Sequence, residues 1–149
     1  MQTFKIVIDT REQNAFTFAN IKPRPEVIYK ALSTGDYSLE GFEDRITIER
    51  KSLIDLFGST GQGRKRLQRE FERMRSFEYA ALIIERNLGD IFKRTPAHSQ
   101  MLPKSVFRTL IAWSIRYGVY IWPCPDRSFA ERTTHLLLEK WCLEATEKI

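Results

Sequence analysis

Apolar and polar positions alternate along this chain in a way that predicts strands and helices in turn. Phe4-Lys5-Ile6-Val7-Ile8-Asp9 reads as a buried strand with an acid at its C-terminal end, and residues 10–20 are irregular. Pro25 suits a first helical position, and Val27, Ile28, Ala31 and Leu32 mark a helical stripe that stops before Gly35. A short strand follows over Asp36–Leu39, a turn over Gly41–Asp44, and a strand over Arg45–Arg50, which together predict a hairpin. Ser52-Leu53-Ile54-Asp55 has the form of a capping box and opens a short helix running to Gly58. Residues 58–63 carry three glycines and form a loop before a helix from Arg64 to Phe77, on which Leu67, Phe71 and Met74 step along one face, with Glu78 next in line.

The second half continues the alternation. Tyr79–Glu85 is a continuous apolar run of the kind found in a parallel strand covered on both sides. A short helix is predicted over Leu88–Arg94. Pro103 opens a longer one, with Val106, Leu110, Trp113 and Ile115 largely apolar, that ends at Gly118. Val119–Trp122 is a further strand, and Ser128 to about Ala145 a closing helix. No linker divides the chain. The pattern is that of one α/β domain over residues 1–149, with a central mixed sheet of about five or six strands flanked by helices.

Composition adds a charge argument. The chain has 149 residues, a formal charge of +5, 24 basic residues and no repeat or low-complexity tract. Six of those basic residues fall within residues 64–75, which suits a polyanionic partner. Arg64, Arg66, Gln68 and Arg69 are the candidate DNA contacts there, although Glu70 and Glu72 interrupt the charge and intrahelical pairs such as Glu70 with Arg73 or Arg66 explain it as well. Lys93, Arg94, Lys104 and Arg108 form a second, weaker basic group. There is no apolar run long enough for a membrane and no signal-like start, so a cytoplasmic location is expected, nucleoid-associated in a bacterial or phage setting. Cys124 and Cys142 read as free thiols, and neither His98 nor His135 has a second His or Cys at metal spacing.

The candidate chemistry lies at the strand ends. Glu49 and Lys51 are two apart on one strand and face the same way, while Ile46 and Ile48 face a core. Asp36 opens the partner strand and Asp9 closes the first. If these strands are neighbours, carboxylates and an amine converge. Mg²⁺ takes oxygen ligands at about 2.0–2.1 Å and keeps several waters, so two or three carboxylates beside a phosphodiester meet its need. Taken singly, each residue has a structural reading: a surface pair for Glu49 and Lys51, a turn for Asp36, a loop cap for Asp9, a salt-bridge partner for Arg50, a helix cap for Asp55.

These blocks together resemble a known family. Asp9-Thr10-Arg11-Glu12, Gly35-Asp36 and Glu49-Arg50-Lys51-Ser52-Leu53-Ile54-Asp55 are similar to the nuclease domain of XPF-family structure-specific endonucleases, as are Gly63-Arg64 with Gln68 and the strand Leu82-Ile83-Ile84-Glu85. The resemblance implies a restriction-endonuclease-like fold and Mg²⁺- or Mn²⁺-dependent hydrolysis of DNA phosphodiesters at branched or single/double-strand junctions, in repair, recombination or replication. It implies Asp9, Asp36 and Glu49 as metal ligands and Lys51 as the catalytic lysine, which orients or deprotonates the attacking water or stabilises charge at phosphorus. Arg11, Glu12, Arg50 and Asp55 take supporting roles. It also implies a homodimer or heterodimer, for which Pro103–Tyr117 with Val119–Trp122 offers an apolar surface. The helix-hairpin-helix and helicase domains of longer members have no counterpart here. The competing reading is a catalytically inactive DNA-binding partner subunit on the same fold.

Overall fold

The computed structural model describes residues 3–147. Six strands form one sheet: β1 (Lys5–Ile8), β2 (Glu26–Tyr29), β3 (Tyr37–Leu39), β4 (Ile46–Lys51), β5 (Tyr79–Ile84) and β6 (Tyr120–Pro123). Their order is β2-β1-β3-β4-β5-β6. Both pairs involving β3 are antiparallel, while β1–β2, β4–β5 and β5–β6 are parallel. Five helices complete the fold: α1 (Leu53–Thr60), α2 (Arg64–Met74), α3 (Asp90–Lys93), α4 (Pro103–Tyr117) and α5 (Arg127–Glu147). The expected α/β class with a mixed sheet is observed.

The sheet separates two cores. On one face Leu82 and Ile84 pack with Leu56 and Phe57 of α1, Leu67 and Phe71 of α2, and Val106, Leu110 and Trp113 of α4. On the other, Ile8, Ile48 and Ile83 pack with Phe16, Phe18 and Tyr37 and with Ala130, Leu138 and Cys142 of α5. This explains why β5 reads as a continuous apolar run: a strand covered on both faces has no solvent side on which to alternate. Full burial of each large aliphatic side chain contributes about 1.5–3 kcal/mol relative to exposure.

One predicted element is of the wrong type. Residues 25–32 form no helix, and Glu26–Tyr29 is instead an edge strand parallel to β1, in the register Lys5↔Glu26 to Ile8↔Tyr29. Val27 and Ile28 are β-branched, and the unpaired edge of β1 supplies backbone partners that an isolated turn of helix lacks. Lys5 Nζ lies 3.6 Å from Glu26 across this pair. Boundaries also shift: α1 runs on to Thr60, and α2 stops at Met74, leaving Glu78 exposed and paired with Arg45 at 3.0 Å. Of the residues expected in apolar surroundings, Trp113 is buried but Ile115, Tyr120 and Trp122 are exposed. Cys124 and Cys142 are free and buried. Among the described residues no helix is long and apolar enough to cross a membrane.

Candidate active site

Sheet parity assembles the site. In the β4–β5 register Glu49 stands opposite Leu82 and Lys51 opposite Ile84, so both point to the face covered by α1 and α2. Ile8 stands opposite Tyr37, and Tyr37 opposite Ile48, all three in the other core. The next positions, Asp9 and Asp36, therefore share the face of Glu49. β1, β3 and β4 are successive neighbours in the sheet, so these strand ends lie side by side. Lys51 Nζ lies 3.7 Å from Glu49 Oε1.

Gly35 makes the approach of Asp36 possible. Its φ is +80°, and a Cβ built there would lie 2.0 Å from Thr47 Oγ1 on β4. Without a side chain at 35, Asp36 N–H donates to Ile48 O at 2.8 Å, and Arg50 N–H donates to Asp36 Oδ2 at 2.8 Å. The carboxylate of Asp36 is thereby pinned to the strand that carries Glu49 and Lys51. Thr47 Oγ1 in turn donates to Thr34 O at 3.0 Å and fixes the turn before Gly35.

A fourth acid completes the group, and the sequence reading passed over it as an interruption in a basic helix. Glu70 on α2 lies within hydrogen-bonding reach of the Glu49 carboxyl and raises it. No ion pair of Glu70 with Arg66 or Arg73 forms among the described residues; Arg73 Nε instead donates to Thr34 Oγ1 at 3.3 Å. The signal for Glu70 was its helical neighbourhood. It lies three residues after Leu67 and four before Met74, both buried against the sheet, so its side chain has to point towards β4. Arg66 lies one turn before Glu70 on the same side of α2.

The electrostatics follow from crowding. Burial, then the hydrogen bond with Glu70 and the charge of Asp36, push the Glu49 carboxyl well above the usual range, and Lys51 opposes this. Burial and the Glu12 charge raise Asp36 to about 6, against hydrogen bonds from the Arg50 amide and from Glu49. Asp9 behaves oppositely. Burial raises it, but the Arg11 guanidinium and the Leu32 amide outweigh burial and hold it below its ordinary value.

Asp9 shares this face, and its carboxylate is already engaged by neighbouring donors. Its backbone amide donates to Asp36 O at 2.9 Å, so the strands are neighbours. Its carboxylate, however, accepts from Arg11 Nε at 3.0 Å, Arg11 Nη2 at 3.2 Å and Leu32 N–H at 2.8 Å. The supporting residues sort more clearly. Arg50 points to the opposite face, where it bonds both oxygens of Glu12 at 2.9 and 3.1 Å, Glu85 at 2.8 Å and Gln13 O at 2.8 Å. Arg127 at the start of α5 reaches the same Glu85 oxygen at 3.1 Å. Asp55 donates its amide to Ser52 Oγ at 3.2 Å, which confirms the predicted cap, and its side chain is exposed. Of the predicted DNA contacts, Arg64 is tied to Thr60 O and Thr109 Oγ1 and lies over the Trp113 ring, and Gln68 donates to Tyr117 OH at 3.0 Å. Arg66 and Arg69 are exposed, with no ion pair among the described residues.

The donor set is hard oxygen, which suits Mg²⁺ or Mn²⁺. Among the described residues no group of three His, Cys, Asp or Glu side chains is placed to hold a metal ion. Asp36, Glu49 and Glu70 are instead crowded carboxylates with Lys51 as the facing cation, an arrangement a divalent ion relieves while waters and a phosphate oxygen fill its remaining positions. His135 lies against Phe4 and Glu139, away from the acids.

Known proteins bear on this geometry. A search of curated proteins finds no match. Among solved structures, XPF from Aeropyrum pernix superimposes with a TM-score of 0.69 at 24% identity over 97% of this chain and 66% of that one. The same protein in complex with DNA gives a TM-score of 0.68, again at 24% identity and over the same shares of the two chains. The fold is therefore that of the XPF nuclease domain. The ERCC4 domain family matches residues 8–137, from the last residue of β1 into α5, and takes in Asp9, Asp36, Glu49, Lys51 and Glu70. The chain belongs to the ERCC4 domain family.

Proposed function

We propose that this protein is a metal-dependent DNA endonuclease that hydrolyses phosphodiester bonds at branched DNA or single/double-strand junctions. The observation that carries this reading is the pairing of Glu49 and Lys51 on β4 at 3.7 Å, beside Asp36 and Glu70, with Glu49 buried, Asp36 half-buried and both carboxyls raised. Buried groups of like charge are costly, and a fold retains them where they hold a cation or do chemistry. The Aeropyrum protein of the same fold has been solved with DNA, which supports the same class of partner here.

Asp36 and Glu49 would hold the metal, with Glu70 within reach of Glu49. When bound, a divalent ion polarises the phosphoryl oxygen and acidifies a bound water. Lys51 faces the carboxylates from the same strand and meets the negative charge that develops on the phosphate oxygens. Asp36, fixed by the Arg50 amide, keeps its oxygen aimed across the β3–β4 junction. Water oxygen attacks phosphorus and gives up a proton, the phosphorus–oxygen bond to one deoxyribose breaks, and the departing oxygen takes up a proton.

The test is a cleavage panel of flap, fork, bubble, four-way junction and plain duplex DNA in Mg²⁺, Mn²⁺ and EDTA. Metal-dependent cutting of junction substrates is expected, with Glu49→Ala and Lys51→Ala inactive. Binding without cutting by the wild type, or equal cutting by both variants, overturns the catalytic reading and leaves a DNA-binding partner subunit. Preferential cutting of RNA overturns the substrate class.

A further inference from the structure

A groove of about 1600 Å³ opens beside the acids and is used by none of them. It starts at Ser52, one residue after Lys51, and at Glu85–Arg86 where β5 ends. From there it runs between the α1–α2 turn and residues 94–101, towards the first half of α4. Its volume exceeds the 300–1,000 Å³ of ordinary small-molecule sites, so it suits a segment of polymer.

The lining is chemically one-sided. Five arginines line it, at 64, 86, 94, 108 and 127, against a single acid, Glu85. That acid is already neutralised by Arg50 at 2.8 Å and Arg127 at 3.1 Å. Arg94 pairs with Asp90 at 3.6 Å, whereas Arg86 and Arg108 are exposed and make no ion pair among the described residues. Apolar side chains share the lining with polar ones such as Gln62 and Ser105: Ile54 is 72% exposed, and Met101 lies alongside. Gly61 lets the far wall close. A Cβ there would lie 2.8 Å from Met101 Cγ and 3.1 Å from Phe57 O.

We infer that this groove binds a single-stranded arm of the DNA substrate as it leaves the scissile phosphate. The inference rests on the nuclease reading for its polymer and on the groove for its strand state. Free cations beside apolar side chains match a chain whose phosphates and unpaired bases are both exposed. A duplex buries its base faces and would gain only the charge. The groove begins one residue from Lys51, so a strand bound there is continuous with the site. This places selection for a junction in the nuclease domain itself, with Arg86 and Arg108 as its phosphate contacts.

The test measures binding in EDTA, where chemistry plays no part. Fluorescence anisotropy is read for a 20-nucleotide oligothymidylate, a blunt 20-base-pair duplex and a fork, with wild type and the Arg86→Ala/Arg108→Ala variant. A loss of about tenfold or more for oligothymidylate and fork is expected, with the duplex changed less than about twofold. The slope of log affinity against log salt for the single strand becomes shallower by about 1.4, from about 0.7 per phosphate contact. Equal losses on duplex and single strand, no loss on either, or no binding of oligothymidylate by wild type overturns the inference. Displacement by poly-glutamate at equal affinity also overturns it, in favour of an acidic peptide. A cleavage assay run beside it keeps the two readings apart. Metal-dependent cutting with unaltered oligothymidylate binding by the variant sinks only the groove, and groove-dependent binding without cutting sinks only the nuclease.

Discussion

Arg50→Ala separates the two roles open to the arginine between Glu49 and Lys51. In the structure its guanidinium makes four hydrogen bonds on the face of the sheet away from the acids: two to Glu12, one to Glu85 and one to Gln13 O. The Arg50 and Glu12 side chains are 9% and 7% exposed, so solvent screens the pair little. Removing one partner of a buried ion pair costs about 3–5 kcal/mol. Glu85 keeps Arg127 at 3.1 Å, and only Glu12 is left without a cation, which puts the loss near the lower end, about 3 kcal/mol. For a domain of this size each kcal/mol moves Tm by about 2–4 °C, so a fall of roughly 6–12 °C is expected by circular dichroism. Arg50→Lys keeps the charge without the planar fork and should fall between. The pair Glu12→Gln/Arg50→Met should recover most of the loss. Well below its Tm, Arg50→Ala should still bind DNA with near-normal affinity. A variant that unfolds within about 2 °C of wild type but loses DNA affinity would show that Arg50 contacts phosphate and would refute the structural role.

Gly35→Ala should destabilise by about 2–4 kcal/mol in chemical denaturation, from the left-handed backbone at φ +80° and the 2.0 Å approach to Thr47 Oγ1, and adding Thr47→Ala should restore part of it. Glu49→Gln should raise the Tm of the metal-free protein, because it removes a buried charge beside Asp36 and Glu70, while abolishing cleavage. Asp36 has a folded pKa of about 6 against 3.8 ordinarily, so it favours the folded state when protonated. Its contribution is fully present below about pH 4 and disappears as pH rises through about 6, amounting to about 3 kcal/mol in the metal-free protein. Urea titrations from pH 4 to 7 should show this slope, Asp36→Asn should flatten it, and Mg²⁺ at pH 7 should offset it by binding only the folded state. Glu70→Gln should weaken Mg²⁺ affinity, read by calorimetry, with little change in Tm.

Reading the sequence recovered the elements whose signals are local. The capping box at Ser52, the proline-opened α4 and the apolar run of β5 each carry their cause within a few residues. The strand-end acids were also legible, because period-2 alternation places Glu49 with Lys51 before any partner is known. What the sequence could not show depends on distant partners. Residues 26–29 form a strand only because β1 offers an edge. The Asp9 carboxylate is held by Arg11 and by the Leu32 amide, the latter 23 residues away. Glu70 joins the site because α2 lies across β4, while a charge count along the helix suggested an ordinary solvated acid. Arg64 and Gln68, which read as DNA contacts, are held by α4 through Thr109, Trp113 and Tyr117.

The clamp of Glu12, Arg50, Glu85 and Arg127 lies on the side of the sheet opposite the carboxylates. The clamp reaches the acids only through the Glu12 charge and the Arg50 amide, both of which act on Asp36. Neutral replacements at 36 or 49 relieve repulsion and leave the clamp's hydrogen bonds intact, so loss of activity there is the direction in which folding improves. A descendant released from selection for cutting would drift into a more stable, silent scaffold that keeps its arginine-lined groove.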